Sequence, residues 1–417
     1  MESPDSALLA GVGSAIAAHR RAAGVTQLGL AERIGKSVQW VSAVEQGRRH
    51  AERLTDLIRV AAVVGCSVDD LIGRPVDELA PGTERRPTEA TAAIREVIMR
   101  AADPLWPAVG AEGSAPASLE DVRRRVTEAW TIWHGSVVAI SELGKVLPTL
   151  LTDAHRARRD AQDTAEAARV LAGAYQIVRQ WLHHAQGVGD LTWIAAERAR
   201  QAAFESDDAY QIALAAWSLS GPYRRAGQQD EATRLCLSAA DAVHARIDSS
   251  RPDPQLLGAY GMLHLAASVS AAQSDQDGRA WALHHVAEDA ARALGPTYYD
   301  PWTKFGVGNV DIHGAALYAE LGRADDVVEL SRHLEIDNVP SVERRSSALI
   351  SISRGYVRRR EDEAAALVLL DAERISADNV HNSTVVRELL RELVINDRVR
   401  ARPHVRGLAR RSGLLAS

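Results

Sequence analysis

The sequence predicts an all-α protein with a small N-terminal bundle followed by a long region of paired helices. Three observations support this prediction. Ala, Leu, Arg and Glu are abundant, whereas aromatic residues make up 5% of the 417 residues, a composition that favours helices. Two short helical patterns with a tight turn between them lie near the N-terminus. Further along the chain, helix pairs with similar connecting loops recur.

Residues 26–47 contain the two short helices. The first is predicted over residues 27–34 and the second over residues 38–46. Thr26 and Ser37 precede them and can accept hydrogen bonds from the free N–H groups of each first turn. A glycine follows each helix, as expected where a helix ends in the left-handed conformation.

The apolar spacing of these helices separates an inner from an outer face. The residues predicted to face inward are Leu30, Ala31, Ile34, Val41 and Val44. The second helix leaves Val38, Gln39, Ser42 and Ala43 on its opposite face. Two helices joined by such a turn form a helix-turn-helix, whose second helix can enter the DNA major groove.

Further helical patterns flank this unit, one ending at Gly24 and others near residues 54–61 and 65–72. Residues 20–72 resemble the Cro/C1-type helix-turn-helix family, also called the xenobiotic-response-element class. The matching residues are Thr26-Gln27, Leu30 to Gly35, Ser37, Val41-Ser42, Val44 to Arg49 and Gly65 to Ile72. The resemblance covers about one eighth of the chain. It implies a five-helix, lambda-repressor-like DNA-binding domain.

The resemblance also implies which residues contact DNA. Gln27 would contact a phosphate, and the DNA backbone would meet Lys36, Arg48 and Arg49. Base edges would meet Val38, Gln39 and Ala43, with Ser37, Trp40 and Ser42 at the margins of the same surface.

The chemistry of these side chains agrees in part with base recognition. Gln can bond an adenine edge, and Val or Ala can pack on a thymine methyl group. The second helix has no Arg or Lys between residues 38 and 44, where such helices often carry one for guanine. This indicates a reader that discriminates poorly or prefers A·T pairs. The alternative is a degenerate helix-turn-helix kept only for protein contacts.

The charge balance argues against extensive coating by nucleic acid. The net charge is −6, and residues 1–74 hold nine Lys/Arg and eight Asp/Glu. DNA binding would therefore depend on a few locally placed cations and on salt concentration. Cys66 and Cys236 are expected to be buried thiols in a reducing compartment. With no apolar run of about 18 residues, the protein is expected to be cytoplasmic.

Composition also suggests domain boundaries. Pro, Gly and charged residues are concentrated in residues 75–88, which predicts a linker. The helix-turn-helix domain is predicted at residues 1–74 and a helical body at residues 89–417. The body is expected to begin with a helix at residues 89–102.

Four loops in the body share a turn, a charged run and then a small apolar residue. They end at Ala232, Ala280, Val327 and Ala364, with spacings of 48, 47 and 37 residues. This is the pattern of helix-pair repeats. The body resembles tetratricopeptide repeats, although its period is irregular and longer than the usual ~34 residues. The resemblance implies a right-handed superhelix whose concave surface binds peptides or other ligands.

Two segments extend the resemblance. They are residues 304–322, KFGVGNVDIHGAALYAELG, and residues 339–346, VPSVERRS. With the following LDAERISADNV and VRELLRELV, they resemble the C-terminal half of actinobacterial regulators that join a Cro/C1-type head to a tetratricopeptide-like body. Peptide-sensing regulators of Gram-positive bacteria share this architecture by analogy of fold only.

Fitting the helix pairs to the tetratricopeptide pattern gives candidate ligand-binding residues. They are Leu214, Trp217, Arg224, Met262, Leu265, Asn309, His313, Ala316 and Glu320. Asn309 offers a donor and an acceptor for a peptide group, and Trp217 offers a flat apolar surface. The alternative is that Trp217 packs between repeats and that Asn309 caps its helix after Gly308. His264, like His313, is expected one position off the inner row.

No catalytic chemistry is apparent. The pairs His183-His184 and His284-His285 are expected to be structural, because neighbours on a helix point about 100° apart. No phosphate-binding loop, zinc-protease motif or nucleophile motif occurs, so no metal, cofactor or enzymatic activity is expected.

Three functions remain open. The first is a dimeric, sequence-specific transcription regulator that binds a double-stranded DNA operator and responds to a peptide or small-molecule effector. The second is a constitutive repressor whose body recruits a protein partner. The third is a scaffold whose head no longer reads DNA. The fusion of a head to a long repeat region favours the first, and a homodimer would give the specificity that one helix-turn-helix lacks.

Overall fold

The computed structural model describes residues 4–46, 54–66, 71, 88–101, 117–184, 189–248, 250–396 and 398–415, with side chains from residue 12 onward. These residues form α-helices, a short 3-10 helix at Ile336–Asn338 and no strand. The all-α prediction is therefore confirmed for the described part of the chain. The predicted linker, residues 75–88, lies outside it except for its last residue.

The N-terminal part, called the head, contains α1 (Pro4–Ala22), α2 (Gln27–Ile34), α3 (Val38–Glu45) and α4 (Leu54–Val64). The predicted caps are present. Thr26 Oγ1 accepts a hydrogen bond from the Gly29 N–H at 3.0 Å, and Ser37 Oγ accepts one from the Trp40 N–H at 3.0 Å. Gly35 has a φ of +70°, which ends α2 and turns the chain toward α3.

A close backbone approach joins α1 to α3. A Cβ atom built on Gly13 would lie 2.2 Å from the Val44 carbonyl oxygen, so only glycine fits at this position. The head core around this approach contains Ile16, Leu30, Ile34, Trp40, Val41, Val44, Leu57, Val60 and Leu71. Helix α3 is thus packed against the rest of the head along its whole length.

The body begins with α5 (Glu89–Arg100), whose Ile94 and Ile98 are buried in the main core. Described residues 119–375 then form six helix pairs. The first helices of the pairs are α6 (Leu119–Gly135), α8 (Thr164–His184), α10 (Ala209–Arg225), α12 (Pro254–Gln273), α14 (Val307–Glu320) and α16 (Val342–Arg358). The second helices are α7 (Ala139–Asp160), α9 (Gly189–Ser206), α11 (Gln229–His244), α13 (Asp277–Leu294), α15 (Ala324–Ser331) and α17 (Asp362–Ile375).

The four predicted loops are the turns within the last four pairs. Each turn has a residue in the left-handed conformation, namely Gly227, Asp275, Gly322 and Arg360, with φ of +78°, +60°, +82° and +63°. Ala232, Ala280 and Val327, which end three of the loops, are fully buried. The repeat in the sequence therefore corresponds to a repeat in backbone conformation and packing.

The first helices of the pairs form a closed ring. Each contacts the next in the order α6, α8, α10, α12, α14, α16, and α16 contacts α6 again. His134 near the end of α6 hydrogen bonds to Ser341 Oγ, the N-cap of α16, at 2.9 Å. The concave surface expected from the sequence therefore lines the inside of this ring. We call the side of these helices that faces the ring centre the inner surface.

The loop between α13 and α14 fills one end of the ring. Trp302 stacks on Trp130 with ring centroids 5.7 Å apart and packs against Gly173, where a Cβ would lie 2.9 Å from its ring. Phe305 packs against Gly261 on α12 in the same way. We call residues 296–306 the plug.

Asp300 holds the plug in shape. Its carboxylate is fully buried and accepts hydrogen bonds from Tyr210 Oη at 2.8 Å and from the N–H and Oγ1 of Thr303 at 2.7 and 2.9 Å. Four such acceptor contacts, including the Trp302 N–H at 3.0 Å, satisfy a buried charge that would otherwise be costly.

Three further helices complete the C-terminal end. They are α18 (Ala377–Asn382), α19 (Thr384–Asn396) and α20 (Arg402–Arg411). The basic α20 buries Val405 and Leu408 in the C-terminal core. Its Arg411 forms a two-point ion pair with Glu373 at 2.6 and 2.7 Å.

The fit of Phe305 on Gly261 gives a stability prediction. Gly261→Ala should destabilise the protein by at least about 1–3 kcal/mol, because a Cβ at residue 261 would lie 2.0 Å from Phe305 Cζ and force the plug out of place. Urea denaturation measures the change. Gly278→Ala is the matched control on α13, where a Cβ meets nothing within 4 Å, and it should be neutral or slightly stabilising. Equal effects of both substitutions would contradict the role of the plug.

Candidate nucleic-acid interface and inner polar site

The solvent-facing side of α3 carries most of the predicted base-contacting residues. Gln39 is exposed, and Val38, Ser42 and Ala43 are partly exposed. Trp40 is an exception that corrects the prediction: it is only 4% exposed and packs in the head core. Its indole lies on the same helical face as Val41 and Val44 rather than beside the outer residues.

A buried ion pair holds the C-terminal end of α3. Arg20 on α1 contacts both carboxylate oxygens of Glu45, at 2.5 and 2.9 Å, and donates to the Val25 carbonyl at 2.8 Å. Gln27, predicted to contact a DNA phosphate, donates its side-chain amide to Glu45 Oε2 at 2.8 Å instead. Burial alone would raise the pKa of Glu45, but the hydrogen bonds from Arg20 and Gln27 and the charge of Arg20 bring it below its ordinary value.

The other predicted backbone contacts divide into two groups. Lys36 lies over the Trp40 ring at 5.3 Å and 3.4 Å from Asp56, so its ammonium is already engaged within the head. Arg48 and Arg49 lie outside the described residues. From Val38 to Gln46 the exposed side of α3 has no cation, as the sequence predicts.

The N-terminal end of α3 meets the body. Ser37, besides capping α3, donates its hydroxyl to Asp275 Oδ2 at 3.1 Å. Asp275 is the left-handed residue of the turn between α12 and α13. A carboxylate therefore lies at the positive end of a helix that is predicted to approach the phosphates of DNA.

The predicted ligand-binding residues fall into two groups. Leu214, Met262 and Leu265 are buried in the main hydrophobic core, which corrects their placement on a ligand-binding surface. Glu320 is paired with Arg354 on α16 at 2.7 Å, and Ala316 is partly buried one turn before it.

Asn309 is the least satisfied polar residue of this set. It is 0% exposed, and neither its Oδ1 nor its Nδ2 has a hydrogen-bond partner. The alternative that it caps α14 is not supported, because its side chain makes no capping hydrogen bond. One turn later, His313 Nδ1–H donates to the Asn309 carbonyl at 2.7 Å, and burial lowers the pKa of His313 to about 3.

Arg179 on α8 is a central residue that the sequence analysis missed. It is 4% exposed, and its guanidinium lies over the Trp217 ring at 5.3 Å. Its Nε donates to the Ser218 carbonyl at 2.7 Å, and Nη2 contacts the same oxygen. Pro222 is four residues after Ser218 and has no N–H, so this carbonyl lacks its helical donor. Arg179 supplies the missing hydrogen bonds.

The surroundings of Arg179 are positively charged. Burial, and then the charges of Arg224, Arg225 and Arg344, lower the pKa of Arg179 to about 9. Burial likewise lowers the pKa of His184 to about 4 and that of His183 well below its ordinary value, so both imidazoles are neutral at pH 7. The inner surface at the C-terminal ends of α8 and α10 and at the N-terminal end of α16 is the inner polar site. The signal for this site in the sequence was Pro222, which lies inside a helix and leaves the Ser218 carbonyl in need of another donor.

The second histidine pair forms a small cluster on α13. His284, His285 and Glu288 each offer one atom, and these atoms lie within 4.8 Å of one another, closer than expected for helix neighbours. His284 Nε2 is occupied by the Val310 carbonyl at 3.0 Å, and Glu288 is paired with Arg292 at 2.5 Å. These contacts agree with a structural role in joining α13 to α14.

Comparison with known proteins covers the head. Residues 12–72 match a family model described as a helix-turn-helix domain, which supports a DNA-binding regulator. No curated protein matches the chain, and no solved structure matches it. Within the part of the chain that the structure describes, no helix has the length and apolarity needed to cross a membrane.

The Arg20–Glu45 pair gives a prediction for the stability of the head. Glu45→Gln should destabilise it by about 2 kcal/mol, because a neutral amide leaves the partly buried Arg20 charge uncompensated. Because the folded pKa of Glu45 is below its ordinary value of 4.5, the stabilisation is complete above about pH 4.5 and is lost as the pH falls. Hydrogen exchange of α1–α3 amides at several pH values measures this. The exposed Glu32→Gln is the control, and an equal loss there would contradict the prediction.

Proposed function

We propose that the protein is a sequence-specific, dimeric transcription regulator of the Cro/C1 type. The observation that carries this proposal is the exposed side of α3, with Gln39 at its centre, on a domain that matches helix-turn-helix proteins. Dimerisation would place two such helices on half-sites about 34 Å apart, or a multiple of that distance. Cytoplasmic location and the absence of enzymatic activity belong to the same proposal.

The body is proposed to sense a peptide or small molecule. Supporting this are the enclosed inner surface and its unsatisfied polar atoms, above all the Asn309 amide. Buried polar groups in native proteins are normally paired, so an unpaired amide suggests a missing partner. A tetratricopeptide-like relationship, already suggested by the sequence, would account for the helix pairs.

The contact between Ser37 and Asp275 suggests how the two parts communicate. While Asp275 accepts from Ser37, the N-terminal end of α3 faces a carboxylate and not a DNA phosphate. A ligand that shifts the turn between α12 and α13 would change this contact and with it the DNA affinity, by a coupling on the order of 1–3 kcal/mol. The alternative is a constitutive repressor or scaffold whose body recruits a protein partner.

Substitution of Gln39 tests sequence reading. Gln39→Ala should reduce discrimination between operator and unrelated DNA by about 1–3 kcal/mol, because a side-chain contact to a base edge is lost. Selection of bound sequences, followed by binding measurements at several salt concentrations, gives the result. Gln201→Ala, an exposed glutamine on α9, is the control. Unchanged discrimination, with equally weak binding to all DNA, would favour the scaffold.

Substitution of Asp275 tests the contact between head and body. Asp275→Asn should tighten DNA binding by about two- to five-fold, because it removes a negative charge from the end of α3 that DNA would occupy. Asn also tolerates the left-handed backbone of this turn. Fluorescence anisotropy with labelled DNA measures the affinity, and Asp277→Asn, two residues away, serves as control. If both variants behave like the natural protein, the contact does not limit DNA binding.

A further inference from the structure

Three arginines converge on the inner polar site without full neutralisation. Arg179 donates only to the Ser218 carbonyl and to Gln180 Oε1, the latter at 2.8 Å, and neither group is charged. Arg224 donates to Ser220 Oγ at 3.0 Å. Guanidinium groups stay protonated in proteins, so the buried Arg179 and the partly exposed Arg224 and Arg344 each bring a full positive charge to the site.

The nearby carboxylates do not balance these charges. Glu320 is paired with Arg354 at 2.7 Å, and its charge also acts on Arg224. Glu343 accepts from Ser347 at 3.0 Å, and its Oε2 lies 3.5 Å from Arg344 Nε without a hydrogen bond. Two carboxylates therefore face five arginines, counting Arg225 and Arg354, and this excess of positive charge favours the presence of an anion.

Unpaired polar atoms surround the same site. Besides both side-chain atoms of Asn309, they include Ser218 Oγ, His183 Nδ1, Glu343 Oε2 and Arg344 Nε. Helix α16, which carries Glu343 and Arg344 near its start, contacts α14, which carries Asn309 and His313, and the charge of Arg344 also acts on His184 of α8. The arginines and the unsatisfied atoms therefore belong to one region.

Small residues leave room for this arrangement. A Cβ on Gly221 of α10 would lie 3.0 Å from Arg179 Nη2 and 3.9 Å from His183 Cε1. The three hydrogen bonds that Arg179 makes leave further guanidinium N–H groups for another acceptor. Its stacking on Trp217 restricts where that acceptor can lie.

We propose that the inner polar site binds an oxyanion, the carboxylate or phosphate group of a small ligand, between Arg179, Arg224 and Arg344. Asn309 then hydrogen bonds a neighbouring polar group of the same ligand. Guanidinium groups bind both kinds of oxyanion through paired, charge-assisted hydrogen bonds. The inference rests on the proposed sensing function, to which it adds the chemical class of the ligand and the residues that select it.

Isothermal titration of the full-length protein tests the proposal. The probes are inorganic phosphate and succinate, each at constant ionic strength set with sodium chloride. We expect saturable binding of at least one probe to about one site per chain. Binding of phosphate alone assigns a phosphate group, and binding of succinate alone assigns a carboxylate.

Two variants and a matched control locate the site. Arg179→Met and Arg224→Met should each weaken binding at least about 10-fold, because each removes charge-assisted hydrogen bonds to the anion. Arg200→Met should leave it unchanged, since Arg200 stacks over Phe204 at 5.3 Å on α9 and pairs with Glu197 away from the inner surface. If Arg179→Met fails to fold because the Ser218 carbonyl loses its donor, Arg224→Met decides.

Two results would overturn the proposal. One is the absence of saturable binding of either probe above chloride. The other is equal binding by the natural protein and the arginine variants, which would mean an adventitious ion only. A separate measurement of DNA affinity, with and without the bound probe, distinguishes the oxyanion site from the proposed sensing function. If the probe binds at this site without changing DNA affinity, the oxyanion site is supported and sensing through it is refuted.

Discussion

The plug is the constraint on which the rest of the body depends. Its Trp302 and Phe305 occupy positions that Gly173 and Gly261 leave open, and His134 Nε2–H donates to the Trp302 carbonyl at 2.8 Å. This fills the interior near one end of the ring with aromatic side chains. Because His134 also contacts Ser341, the plug adjoins the N-terminal end of α16, which carries Glu343 and Arg344 of the inner polar site. Without the plug, the ring would lack the aromatic side chains that fill this part of its interior.

In the head, a small number of tertiary contacts hold the short helix α3 in place. Helix α3 has only eight residues, too few to be stable alone, so tertiary contacts must fix it. Gly13 lets α1 approach its backbone, Trp40 anchors it in the core, and Glu45 ties its end to Arg20. Arg20 of α1 pairs with Glu45, and Lys36 of the turn contacts Trp40 and Asp56, so both cations are used within the head. The head gains rigidity at the expense of the electrostatic attraction to DNA that free cations would supply.

The sequence predicted the features that depend on local signals. The caps at Thr26 and Ser37, the break at Gly35 and the four turns of the body are encoded within a few residues, and the structure has them. Trp40 was misplaced because the sequence of one short helix does not show which of its side chains face the core until the partner helices are known. Arg179 was missed because its role depends on Pro222, which is distant in sequence. Ring closure has no local signal at all.

The closing contact between α6 and α16 also bears on how the chain folds. His134 and Ser341 are separated by 207 residues, whereas successive helix pairs contact their immediate neighbours. Local contacts form fast, and the loss of chain entropy delays those between distant segments. During synthesis, α6 and its Trp130 must therefore wait for about half of the protein to emerge before their final neighbours exist. Before α16 is made, the ring is incomplete and its aromatic side chains are exposed to water. A chaperone could bind this exposed apolar surface.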